Sequence, residues 1–215
     1  MKRIVSLLLL AALVLSLCAC GKKPAETVTV STAPAAAPTE APAPAESAAP
    51  EAEPAAEEAP ANTTLVVFFS ATGTTRGVAE QIAALTGADL AEIVPAQPYT
   101  AEDLNYNDRS TRATVEQNTP DARPEIAAEI SLDGYTTVYL GYPIWWGQAP
   151  RILSTFVESH DFTGITVIPF CTSGGSGAGR TGETLGEQAG TGTFLASTRL
   201  SAGISDEDLQ AWIDR

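Results

Sequence analysis

"LVVFFSATGTTRG" (residues 65–77) sets a run of five apolar residues directly before a turn of serine, threonine and glycine, and a helical pattern follows at once. A strand covered on both faces, as in a parallel sheet, is apolar at every position. Beyond the turn, Val78, Ile82 and Leu85 recur at helical spacing. A strand that enters a helix this way offers hydroxyls and free helix N–H groups to an anion, and the helix dipole favours negative charge there. A triphosphate loop would end in Gly-Lys-Ser/Thr, and the turn has no lysine. The turn therefore suits a small terminal monophosphate; taken alone, it reads equally well as a capped turn with no ligand.

The elements beyond it repeat the strand–helix alternation. "DLAEIV" (89–94) alternates, as an outer strand does, while "TTVYLGYPI" (136–144) and "ITVIPF" (165–170) are apolar throughout. Between those two, Pro150 opens a helix with Ile152, Leu153, Phe156 and Val157 on one face. "GTFLASTRL" (192–200) supplies a fifth strand, and Ser205 with Asp208 is spaced as a capping box for a last helix carrying Leu209, Trp212 and Ile213. Such alternation implies parallel crossovers, hence an α/β fold: a three-layer doubly wound sandwich around a five-stranded parallel sheet. Residues 95–131 form no clear stripe. Thr100 and Asp103 are spaced to cap a short helix there, and the segment is expected to wander over one sheet edge.

The chain ahead of this domain has a different character. Lys2 and Arg3 precede a fourteen-residue apolar run, a signal-peptide core too short for a comfortable membrane span. It ends in "LCAC" (17–20), which resembles the lipobox of bacterial lipoproteins. That resemblance implies a signal peptide over residues 1–19, a lipidated Cys20 and an extracytoplasmic domain anchored to the cell membrane by lipid. Ordinary secretion with a chance cysteine is the alternative. Residues 20–62 are almost all Ala, Pro, Glu, Thr and Ser, too poor in large apolar groups to fold, and are expected to form a tether. The folded domain then spans residues 63–215. With Cys18 removed and Cys20 lipidated, Cys171 alone remains, so no internal disulfide forms. From residue 63 onward eight arginines and no lysine face nineteen acidic residues, a net charge of −11. That balance argues against nucleic acid as a partner.

Ligands of doubly wound sheets sit beyond the carboxyl ends of the strands, where two further loops emerge. "GYPIWWGQAP" (141–150) places two tryptophans at the mouth of a strand; at least one is expected to present its face to an aromatic ligand, packing or partner contact being the alternative. "CTSGGSGAGRTG" (171–182) is rich enough in glycine for backbone to lie against a flat ligand. Its Gly177, Gly179 and Gly182 spell G-x-G-x-x-G, but no acidic residue ends the next strand and the chain stops too soon for a dinucleotide half-domain. The one histidine, His160, is expected at the surface in a helix-to-strand turn, which argues against a Ser-His-Asp hydrolase or a histidine metal site.

With all three loops in order, each after a strand, residues 63–215 resemble the flavodoxin family. "SATGTT" resembles its Thr/Ser-x-Thr-Gly-x-Thr phosphate loop, and "YPIWWG" and "PFCTSGGSG" its two ring-binding loops. The resemblance implies strand order 2-1-3-4-5 and FMN as cofactor. Ser70, Thr72, Gly73, Thr74 and Thr75 would hold the phosphate. Pro143, Ile144, Trp145, Trp146 and Gly147 would flank the ring on one side, and Thr172, Ser173, Gly174, Gly175 and Ser176 its other edge, with a peptide beside Gly147 able to turn its carbonyl toward the reduced ring. The third loop brings only small residues, so one ring face is expected to be open. That pushes the reading toward an oxidoreductase passing electrons from a donor such as NAD(P)H to a quinone-like or protein acceptor. A pure one-electron carrier is the alternative, and a flavin-free surface binding lipoprotein is the alternative from another class. Arg109 and Arg112 are expected to be surface charges, and Cys171 a core residue.

Overall fold

The computed structural model describes residues 62–215. The segments up to residue 61 expected to be a signal peptide and a tether, with Cys20 between them, lie outside the described residues. Asn62, assigned by sequence to the tether, is tied to the domain: its side-chain amide donates to the Gly87 carbonyl at 2.6 Å and its oxygen accepts from the Thr64 N–H.

Five parallel places form the sheet. β1 (Thr64–Phe68) lies between β2 (Asp89–Glu92) and β3 (Thr137–Pro143), and β4 (Thr166–Thr172) pairs with β3 on its far side. The fifth place is shared by two short strands, β5 (Thr193–Phe194) and β6 (Thr198–Arg199), both parallel to β4. The spatial order is 2-1-3-4-5, as the family resemblance implies. The single strand read over 192–200 is thus broken. Between the two pairings β4 advances from Val167 to Phe170 while its partner advances from Phe194 to Thr198, one residue more. The extra residue is a bulge, and Pro169 explains its place. The carbonyls of Ile165, Val167 and Cys171 all accept from the fifth place, so Pro169, in the same phase, turns a ring toward it where an N–H would be needed.

The helices are α1 (Thr74–Thr86), α2 (Arg112–Asn118), α3 (Arg151–Glu158), α4 (Thr181–Ala189) and α5 (Asp206–Ile213). Alternate residues of β1 serve two cores. Val66 and Phe68 pack with Val78 and Ile82 of α1 and Leu209 of α5, while Leu65, Val67 and Phe69 join Ile152, Phe156 and Leu185 from α3 and α4. That is the three-layer arrangement. Gly141 is fixed by packing: a Cβ there would stand 2.3 Å from the Phe170 ring that lies across it.

The caps follow sequence with one exception. Ser205 accepts from the Asp208 N–H at 3.1 Å and starts α5. Thr100 and Asp103 exchange the same reciprocal bonds at 2.9 and 3.2 Å, but only a turn follows. His160 is half-buried, a correction to its surface placement. Its Nδ1 and Nε2 lie 2.7 and 2.9 Å from the carbonyls of Phe156 and Ile130, stapling the end of α3 to the irregular segment.

Candidate functional site

β3 and β4 end level at Pro143 and Thr172, two residues beyond the Phe68–Gly141 pair that ends β1, and this register sets the three loops side by side. Pro143 pairs with Thr172 at the end of the β3–β4 ladder, and the Ile144 N–H continues it by donating to the Thr172 carbonyl at 2.9 Å. Thr75, in the first turn of α1, shares a buried hydroxyl–hydroxyl bond of 2.9 Å with Thr172, which joins the first loop to the third. A cleft of about 590 Å3 opens between the three loops.

Thirteen of the fifteen residues assigned by sequence line that cleft: Ser70, Thr72, Thr74, Thr75, Pro143, Ile144, Trp145, Trp146, and Thr172 through Ser176. Gly73 and Gly147, the other two, belong to the same loops but are not among the residues that line it. Gly73 is the N-cap of α1 at φ +86°, a conformation that a side chain would strain, and it makes no side-chain cap. Gly147 sits in the turn beyond, facing a neighbouring cavity.

Polar chemistry concentrates at the first loop. With no side-chain cap on α1, its first-turn N–H groups face the cleft without protein partners, at the positive end of a thirteen-residue helix. Ser70 Oγ is buried with no hydrogen-bond partner. Among the described residues no charged side chain lines the cleft. Arg76, the nearest cation in sequence, is held outside by one Nη that donates to both carboxylate oxygens of Glu92, at 2.6 and 2.7 Å. Hydroxyls, helix amides and one orphaned buried oxygen together fit a terminal phosphate held by neutral donors.

The tryptophan pair divides its labour. Trp145 stands edge-on to Phe69 at 5.5 Å and to Tyr99 at 5.3 Å, a packing role. Trp146 is 42 % exposed. The Gln148 N–H closes back on the Trp145 carbonyl at 3.0 Å, with Trp146 and Gly147 at φ +48° and +77° between them. Positive φ at both central residues is what a type I′ turn requires. In the third loop, the Ser173 hydroxyl bonds the Ser176 carbonyl and also accepts from the Gly175 N–H, folding the glycine run back on itself.

Sequence reading missed four lining residues: Ala71, Leu104, Tyr106 and Ala113. Three come from the irregular segment or α2. Tyr106, 74 % exposed, brings an aromatic ring to a cleft expected to have an open face. No sequence signal marked it, because residues 100–111 form a run of local turns with no helical or strand period. Arg112 pairs with Glu116 at 2.6 Å, donates to the Gln97 carbonyl and stacks 4.1 Å over Tyr99. Burial, then the bond to Glu116, raises the Tyr99 phenol well above its ordinary range, so it stays a neutral donor behind Trp145. Burial also raises the Cys171 thiol, which keeps it protonated and inert.

A family model for flavodoxins matches residues 63–215. Two solved chains, candidate flavoproteins of Bacteroides eggerthii and Bacteroides uniformis, are 42 % and 41 % identical to this chain. The first covers 71 % of this chain and 96 % of its own with a TM-score of 0.67; the second covers 72 % and 99 % at 0.68. A flavoprotein of Lactobacillus acidophilus, solved in complex with FMN, shares the fold at 22 % identity and a TM-score of 0.52, over 71 % of this chain and 99 % of its own. No curated protein matches.

Proposed function

The chain belongs to the flavodoxin family, and from that premise we propose that it binds FMN and works as a redox protein. The observation that carries this is the lysine-free phosphate cradle: an uncapped α1 N-terminus, Thr72, Thr74 and Thr75, and the buried, unpartnered Ser70 Oγ. FMN is also the ligand of the Lactobacillus flavoprotein that shares the fold. Bound there, FMN supplies one- or two-electron chemistry that no side chain of the cleft can perform. Ser70 and the threonines donate to its phosphate. Trp146 offers a rigid exposed face to the ring and Tyr106 a second aromatic surface, while Trp145, locked between Phe69 and Tyr99, positions the turn. Glycines 174 and 175 let backbone approach the ring edge, since nothing stands within 4 Å of either Cβ position. The Trp146–Gly147 peptide sits in a turn where glycine eases a change of carbonyl direction.

The fuller reading is an oxidoreductase that passes electrons from a donor such as NAD(P)H to a quinone-like or protein acceptor. It works outside the cytoplasm on a lipid anchor at Cys20. The third loop brings only small residues, Thr172 to Ser176, to the cleft, which leaves room on that side for a flat partner to approach the ring. A visible spectrum of the purified protein, before and after adding FMN, tests the cofactor. Stoichiometric FMN is expected, and a colourless protein that refuses added FMN removes the redox reading. Steady-state oxidation of NAD(P)H with a quinone then separates enzyme from carrier, since a carrier shows no turnover.

A further inference from the structure

A second cavity of about 170 Å3 lies beyond the turn that carries Trp146, with room for roughly five or six waters at about 30 Å3 each. Residues 147–149 form one wall, and Arg151, Ser154, Arg180 and Thr184 are among the polar residues that line it. Both neighbouring helices begin here. Arg151 is the first residue of α3 and Arg180 the N-cap of α4, and neither helix has a side-chain cap. The two helices pack side by side after parallel strands, so both positive ends reach the same cavity.

The side chains around it are short of partners. Ser154 is 4 % exposed and lines the cavity. Arg151 donates through one Nη to the Gln117 carbonyl at 3.0 Å, but its Nε is buried without a partner. No carboxylate among the described residues pairs with Arg151. Arg180 meets only the exposed Glu187 at 3.4 Å, a solvated pair that holds it weakly. In a domain of net charge −11, a cavity with one unpaired and one weakly paired guanidinium is set apart. Guanidinium forks, hydroxyls and two helix ends form a donor set suited to a many-oxygen anion, phosphate above all.

We propose that this cavity is a second anion site, which holds the phosphate or pyrophosphate of a nucleotide reductant while its redox-active end reaches the adjoining cleft. The assignment to a reductant rests on the redox reading above; the anion site itself does not. Pyrophosphate titrated into isotope-labelled protein, with and without added FMN, tests it through backbone amide shifts. Saturable shifts are expected at residues 147–154 and 180–184. Arg151→Gln is expected to weaken them about tenfold and leave the flavin spectrum unchanged. Arg180→Gln, at an exposed position, is expected to weaken them too, and serves if the first variant fails to fold. Shifts confined to residues 70–76, no shifts at all, or the same midpoint in both variants (an adventitious ion only) overturn the site. NADPH is expected to displace pyrophosphate, and failure to compete overturns the assignment to a reductant. A protein that refuses FMN but binds pyrophosphate between α3 and α4 sinks the redox reading and leaves the anion site standing.

Discussion

Trp146 holds a backbone conformation, φ +48°, that a residue with a Cβ adopts at a cost of about 1–2 kcal/mol. The surrounding fold gives little back, since its indole is 42 % exposed and its one aromatic neighbour, Trp145, stands edge-on at 6.5 Å. Strain of this kind at a cleft is kept for what the residue presents to a ligand. Its neighbour is the reverse case, partly buried and wedged against two rings. The two tryptophans are therefore expected to separate cleanly on substitution. Trp146→Gly relieves the strained φ, and its unfolding free energy is expected within about 1 kcal/mol of wild type. Trp145→Ala opens a gap between Phe69 and Tyr99 and is expected to lose about 2–4 kcal/mol. FMN affinity is expected to fall about tenfold or more in Trp146→Gly, the loss of one stacked aromatic being worth about 1.4 kcal/mol. Denaturant melts and flavin titrations of both variants check the contrast. A Trp146→Gly protein that binds FMN like wild type would show that the exposed indole is not a ring contact.

Tyr142 joins two elements. It leaves β3 fully buried, and its hydroxyl donates to Thr181 Oγ1, at the first residue of α4, at 2.9 Å. Burial pushes its pKa from 10.0 up to about 12, only partly offset by the hydrogen bond with Thr181. The folded state therefore holds this proton after the unfolded state has lost it. The stabilisation is complete below about pH 10 and is lost as pH rises toward 12, a change on the order of 3 kcal/mol. Urea melts between those limits should show a falling limb that Tyr142→Phe flattens, with a loss of about 1 kcal/mol at neutral pH for the missing bond. An unchanged limb would assign alkaline unfolding to other phenols. The same elements show what sequence could reveal. β1 and β3 were legible because a strand covered on both faces has no polar alternative. α2 and α4 were not, because their buried faces use Ala113, Thr114 and Gln117, and Thr181, Gly182 and Leu185, which draw no apolar stripe. Gly182, one of the three glycines of the misleading dinucleotide pattern, is a packing glycine: a Cβ there would meet the Leu195 carbonyl at 2.6 Å. The bulge was written in Pro169, whose missing N–H matters only once its phase in the ladder is known. At the site, hydroxyl- and glycine-rich turns after strands announced themselves, whereas Leu104 and Tyr106 sit in a run of local turns with no period to mark which residue reaches the cleft.

At the scale of the whole molecule, charge and cleft pull in opposite directions. The domain carries −11, yet no charged side chain among the described residues lines the cleft. Its phosphate donors are neutral dipoles acting over a few ångströms, while the net charge repels an incoming dianion over longer distances. Salt screens the second effect far more than the first, the Debye length being about 10 Å at 0.1 M. FMN is therefore expected to bind about threefold more tightly at roughly 0.3 M salt than at roughly 0.01 M. Phosphate sites built on lysine or arginine behave in the opposite way, since salt weakens their main attraction. Riboflavin, which has the same ring and no phosphate, is the control and is expected to show little salt dependence. Fluorescence titrations of both flavins across that range read the sign directly. FMN affinity that falls with salt would place a cation at the phosphate, with Arg76 freed from Glu92 as the first candidate, and would overturn the account of a cradle made of hydroxyls and helix amides alone.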